Sequence, residues 1–148
     1  MFPGRIYDTP SQSNPLLAGG MNWNGLEYVD FLRALYTASI LNADLIAAAH
    51  SDQIAGQDVV NSPALDGFNE DWHYGFGVWF ECHSNTFDCS ARTRMSSTGR
   101  YGAYPFIDYE HQYFGIVSRE GENGSFTEGY KMFVSVEPLI HAWLESVK

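Results

Sequence analysis

The hydrophobic period changes partway along this chain, and that change restricts the fold more than any other feature. In the first half, apolar residues recur at helical spacing. Leu26, Val29, Leu32 and Leu35 fall three apart, with Phe31 and Tyr36 widening the apolar face, so a helix is predicted from about Asn24. Asn42 is a good N-cap for a second helix through Asp44-Leu45-Ile46-Ala47-Ala48-Ala49 toward Asp52. Residues 55–72 carry Gly56, Pro63 and Gly67 and read as a long connection. From there the period drops to two. Tyr74, Phe76, Val78 and Phe80 alternate with Gly75, Gly77, Trp79 and Glu81, the pattern of a strand with one heavily apolar face. A weaker strand is predicted over residues 91–96. Better ones cover 101–107 and 112–118, joined by the short loop Asp108-Tyr109-Glu110-His111. Pro105 lacks a ladder donor and is expected at an edge or bulge. An amphipathic helix follows from about Thr127, bearing Tyr130, Phe133, Val134, Ile140, Trp143 and Leu144, with Pro138 expected to kink or divide it. This order implies one α+β domain over residues 1–148, an antiparallel sheet with helices packed on it. Loop and helices occupy 1–72, and strands with the terminal helix occupy 73–148.

Composition narrows the partners. The 148 residues are 45% hydrophobic, enough for a substantial core, and carry 8 basic against 18 acidic side chains for a net charge of −10. Such a surface repels phosphate backbones and anionic lipid, which argues against nucleic-acid or membrane-surface binding. No apolar run approaches the roughly 20 residues of a membrane span. Met1-Phe2-Pro3-Gly4-Arg5 leads into polar turn residues, with neither a basic nor an apolar leader segment, so no signal peptide is expected within the chain. Cys82 and Cys89 are either a reduced pair in the cytosol or a disulfide clamping a turn-like segment between strands. The disulfide is the favoured reading, and it would imply an exported parent protein.

Self-contained catalytic motifs are missing. The two lysines are Lys131 and Lys148; a Ser-x-x-Lys pair would need serine at 128 or 145, and both are glutamate. Gly124-Ser125 lacks the flanking glycines of a nucleophile elbow, and no phosphate-binding glycine loop occurs. A metal site from His73, Cys82, His83 and Cys89 is outweighed by surface histidines and a disulfide, so no metal and no cofactor is expected. Asp66, Glu70 and Asp71 read as a solvated loop. Trp72, Trp79, Tyr101, Tyr104, Tyr109, Tyr113 and Phe114 could make a sugar-binding platform, but aromatics at strand periodicity are more often core.

Four segments, in order, carry a resemblance. Asn14-Pro15-Leu16-Leu17-Ala18-Gly19-Gly20-Met21 precedes Tyr28-Val29-Asp30-Phe31-Leu32-Arg33-Ala34-Leu35. Tyr74-Gly75-Phe76-Gly77-Val78-Trp79 follows, and then Ser97-Thr98-Gly99-Arg100-Tyr101-Gly102-Ala103-Tyr104-Pro105-Phe106-Ile107-Asp108. Together they resemble the serine β-lactamase and penicillin-binding-protein-like hydrolases, which include class C β-lactamases, D-alanyl-D-alanine carboxypeptidases and esterase relatives. The resemblance implies a partial β-lactamase/transpeptidase-like fold. It places Ser97-Thr98-Gly99 at the family's K-T-G position, as substrate-binding residues. Ser97 departs from the usual lysine or histidine and brings no cation for a substrate carboxylate. Thr98 would offer a hydroxyl, Gly99 a close backbone approach, and the backbone N–H of Arg100 one oxyanion donor.

The family's nucleophilic serine and its lysine precede the Ala-Gly-Gly segment. The chain is therefore expected to be the C-terminal part of a longer hydrolase, inactive alone. The parent would be periplasmic or secreted and act on a small-molecule or peptide substrate. Apolar surface left uncovered would drive homo-oligomerisation. The competing expectation is a stand-alone, non-catalytic module that binds a ligand in an aromatic cleft.

Overall fold

A computed structural model describes residues 23–89 and 94–148. The predicted N-terminal loop, with the Asn14–Met21 segment of the resemblance, lies outside the described residues, as does the start of the strand predicted over 91–96.

Helix α1, Gly25–Tyr36, starts where its cap dictates. Asn24 Oδ1 accepts from the Glu27 N–H at 3.0 Å and Glu27 Oε2 accepts from the Asn24 N–H at 3.0 Å, a reciprocal capping box. The inward face differs from the three-residue spacing. Tyr28, Phe31, Leu32 and Leu35 turn toward the sheet, while Leu26 is 81% exposed. Helix α2, Ala43–Ala49, is capped by the Asn42 side chain, which accepts from Leu45 N–H at 2.9 Å, and it ends short of Asp52. A third helix, α3, Pro63–Phe68, lies where a connection was expected. Ser62 caps it and Pro63 opens it, but six residues are too few to display a period.

Five antiparallel strands lie side by side in sequence order: β1 His73–Tyr74, β2 Trp79–Phe80, β3 Arg94–Ser96, β4 Tyr104–Asp108 and β5 Tyr113–Val117. The single strand expected over 74–80 is instead a tight hairpin. Gly75 N–H donates to Val78 O at 2.8 Å, and Gly77 takes φ +78°, which an L side chain resists. Pro105 does not sit on an edge strand, since β4 is central. Its carbonyl points toward β3 and accepts from Ser97 N–H at 3.1 Å, just past the last β3–β4 pair, Ser96 with Phe106. In an antiparallel ladder the N–H of a residue points the same way as its carbonyl, so the missing donor falls where the β3 ladder ends.

Strand β4 is buried along its whole length because helices cover both faces. Tyr104 and Phe106 meet Tyr130 and Phe133 of α4, Phe126–Ser146, with Trp72 and Ala64 completing the core. Pro105 and Ile107 face α1. Helix α4 runs through Pro138 without dividing. No helix among the described residues is long and apolar enough to cross a membrane. The sheet and helices form an α+β architecture.

The first turn of α4 rests directly on the residues before β4. A Cβ built on Gly129 would lie 2.1 Å from Gly102 O and 2.9 Å from Tyr104 Cβ, so glycine is needed for this approach. Gly129→Ala should therefore lower stability by about 1–3 kcal/mol through overpacking, read as an earlier urea midpoint. An unchanged midpoint would mean that α4 does not pack this closely.

Candidate functional site

Ser97, Thr98, Gly99 and Arg100 leave the end of β3 as one contiguous rim. Gly99 N–H donates to Ala103 O at 2.8 Å and Gly102 N–H to Gly99 O at 2.8 Å, closing a tight turn before β4. A second loop braces it. Gly121 N–H donates to Tyr101 O at 2.6 Å, Gly124 N–H donates to Arg100 O at 3.0 Å, and the Arg100 guanidinium donates to the Asn123 amide oxygen. Ser97 and Arg100 are exposed, whereas Thr98 and Gly99 are half-buried. Ser97 also forms part of the wall of a cavity of about 320 Å³ between α1, α2 and the sheet, beside Tyr28, Leu32, Phe76, Met95 and Phe106. Thr98, Gly99 and Arg100 lie outside that wall. The rim thus places the Ser97 hydroxyl beside an apolar cavity, with the Thr98 hydroxyl next to it in sequence, chemistry suited to holding a ligand. Lys131 stands on α4, 3.9 Å from Glu128, where it is occupied with its own helix neighbour.

At the opposite end of β3 lies a buried charge network. Arg94 Nε donates to Glu81 Oε2 at 2.7 Å, with the two side chains 3% and 0% exposed. Its Nη1 donates to Glu137 and lies 4.0 Å from Asp108 Oδ2. The guanidinium carbon stands 4.7 Å above the Phe133 ring, and Tyr104 OH donates to the other Glu81 oxygen at 2.6 Å. Burial holds the Glu81 carboxyl above the usual carboxylate range even against the neighbouring cation. Burial alone would pull Arg94 down, but the charges of Glu81 and Glu137 outweigh it and fix the guanidinium as charged. Burial, then the Glu81 charge, push the Tyr104 hydroxyl far up. No sequence spacing points to this network, because its members come from the residue after β2 and from β3, β4 and α4, and meet only in the folded chain.

Glu70, expected in a solvated loop, is instead a partly buried acceptor. Trp72 Nε1 donates to it at 2.8 Å and Tyr130 OH at 3.0 Å, and His83 Nδ1 lies 3.4 Å away. Neighbouring Asp71 accepts from the Phe87 N–H at 3.0 Å, while Asp66 is exposed. The four residues weighed as metal ligands go separate ways. His73 Nδ1 meets Asp52 Oδ2 at 2.6 Å and its ring stacks on Phe87 at 3.6 Å. Cys82 and Cys89 are joined by a 2.02 Å disulfide. Closing so short a loop contributes about 2.5 kcal/mol on the chain-entropy estimate. Of the aromatics, Trp72 and Tyr104 are core residues, Trp79 and Tyr113 pack against the core, and Tyr109 stacks on Tyr36. They make no single exposed platform.

No protein-family model matches the sequence, and no curated protein matches it either. Among solved structures, the fold is similar to that of a putative beta-lactamase from Bacteroides dorei DSM 17855. The TM-score is 0.58 at 22% identity, covering 86% of this chain and 46% of that one. At that identity the likeness shows the fold, which is β-lactamase-like. The chain spans less than half the length of the Bacteroides protein.

The Glu70–His83 contact yields a pH prediction. Burial would raise Glu70, but hydrogen bonds from His83 and Trp72 hold it below its ordinary value, while the bond to Glu70 raises His83 above 6.5. The His83 contribution to stability is complete below the ordinary histidine pKa and is lost as pH rises through the raised value. The Glu70 contribution is present above the ordinary carboxylate pKa and is lost as pH falls through the lowered value. NMR titration should place the His83 pKa above 6.5, falling back toward that value in Glu70→Gln. A His83 pKa unmoved by Glu70→Gln would contradict the pairing.

Proposed function

We propose that the chain is the C-terminal part of a β-lactamase-like serine hydrolase that cleaves an amide or ester bond in a small molecule or peptide. The observation that supports this most is the fold shared with the Bacteroides protein over 86% of this chain but only 46% of that one. In the parent, a serine oxygen supplied by the remaining part attacks the substrate carbonyl and expels the protonated leaving group. Water then hydrolyses the acyl-serine, releasing the acid and restoring the hydroxyl. The residues of this chain bind and orient. Ser97 and Thr98 donate hydroxyl hydrogen bonds at the substrate edge, Gly99 admits the substrate close to the backbone, and the Arg100 N–H is one of two oxyanion donors. Alone, the chain is inactive.

Two further features are consistent with this reading. The Cys82–Cys89 disulfide fits a periplasmic or secreted compartment. Helix α4 exposes Met132, Val136, Leu139 and Trp143, whose spacing of four, three and four makes one apolar stripe. On the proposed reading the rest of the parent covers apolar surface of this kind, and the isolated chain associates with itself through it.

The test is intact-mass analysis after exposure to a fluorophosphonate and, separately, a penicillin. The chain alone should take up neither. The chain extended by the polypeptide encoded directly upstream should gain one adduct on the serine of a Ser-x-x-Lys motif. An adduct on the isolated chain would place the nucleophile among its thirteen serines and overturn the reading. An extended chain without motif or adduct would favour the non-catalytic, ligand-binding module.

A further inference from the structure

The β4–β5 hairpin and α4 bring two imidazoles and two carboxylates to one place. Asp108 ends β4, His111 follows in the hairpin loop, and Glu137 and His141 lie one turn apart on α4. His111 Nδ1 is 3.2 Å from each Asp108 oxygen. His141 Nε2 is 3.7 Å from Glu137 Oε1 and 3.3 Å from Tyr113 OH. One donor atom each from Asp108, His111 and His141 lie within 4.8 Å of one another. The site is separate from the rim at Ser97. It lies at the far end of β4, about 13 Å from Tyr104 at the strand rise per residue.

The charges around it are unbalanced. Arg94 meets three carboxylates, those of Glu81, Asp108 and Glu137, which leaves two formal negative charges without a cation. The His111 and His141 rings stack with centroids 3.9 Å apart and planes 20° from parallel. A single divalent cation held by both rings would balance the two negative charges.

We propose that Asp108, His111 and His141 bind a divalent first-row transition metal of the zinc type, with Glu137 or water in the fourth position. Two nitrogen donors and one carboxylate suit zinc and its neighbours, and disfavour magnesium and calcium, which prefer all-oxygen sets. A metal lies in the plane of each ligating imidazole, so one ring must leave the stack. His111 can do so by turning about its Cβ–Cγ bond, since its side chain is 42% exposed in the loop. Bound metal would tie the hairpin to α4 and so cross-link sheet and helix. The role is structural and does not depend on the hydrolase reading.

The full chain, stripped with chelator, is titrated with zinc chloride by calorimetry and melted with and without the metal. We expect one zinc per chain with Kd on the order of micromolar or tighter, and a raised Tm. His111→Gln and His141→Gln should each weaken binding about tenfold or more and abolish the shift in Tm, whereas His83→Gln should do neither. Cobalt(II) should give the intense visible bands of a tetrahedral site. Zinc binding in His111→Gln within about twofold of the unaltered chain, well below one decade in Kd, would overturn the proposal. So would an equal response to magnesium. His111 sits on an exposed loop, so that variant remains informative even if His141→Gln fails to fold.

Discussion

Arg94 and Glu81 form an ion pair almost without solvent access, and much of the structure is arranged to make it tolerable. An uncompensated charge in that position would cost several kcal/mol. The compensation comes from Tyr104 on β4, Glu137 on α4, Asp108 at the end of β4 and the ring face of Phe133. Strands β3 and β4, helix α4 and the segment just after β2 are thus held at one point. The pair also fixes register. Glu81 N–H donates to Arg94 O at 3.1 Å, and Arg94 stands opposite Asp108 in the β3–β4 ladder. A slip of β3 by one residue would turn Met95 toward α4 and swing Arg94 into the apolar cavity below α1.

This register carries the candidate site with it. Strand β3 delivers Ser97 to the cavity wall only because Arg94, three residues earlier, is fixed toward α4. The two ends of the β3–β4 pair then differ in character. One end offers hydroxyls beside an apolar cavity. The other gathers carboxylates and histidines between hairpin and helix, where a cation would serve stability. The fold connects these ends without making either depend on the chemistry of the other.

The elements legible in the sequence were those with a local signature. Asn42 announced its helix because a cap acts on its own next turn, and α1 was legible from the apolar spacing of Leu26 to Leu35. The β4–β5 hairpin was legible because its alternating strands flank a short polar loop. The terminal helix was legible from the spacing of Tyr130 and Phe133. The hairpin at Gly75–Val78 was hidden because alternation continues across it, and only the positive φ of Gly77 breaks the strand. Helix α3 was hidden by its length. The polar networks were illegible for a different reason. Glu70 finds Tyr130 across 60 residues, and Arg94 finds Glu137 across 43, so no spacing rule reaches them. His111 follows Asp108 by three residues, yet that pair gained meaning only when α4 brought His141 against it.

The central claim, that the buried pair organises the sheet, is tested most directly by a double-mutant cycle. Stability is measured by urea unfolding for Arg94→Met, Glu81→Leu and the two together. Arg94→Met leaves the Glu81 carboxylate buried without its cation and should cost about 3–5 kcal/mol. Glu81→Leu, which leaves Arg94 its contact with Glu137, should cost less. The double change should cost less than the sum, with a coupling of about 2 kcal/mol or more. Additive losses would show that Arg94 and Glu81 act independently, and would remove the interaction on which this account of the fold rests.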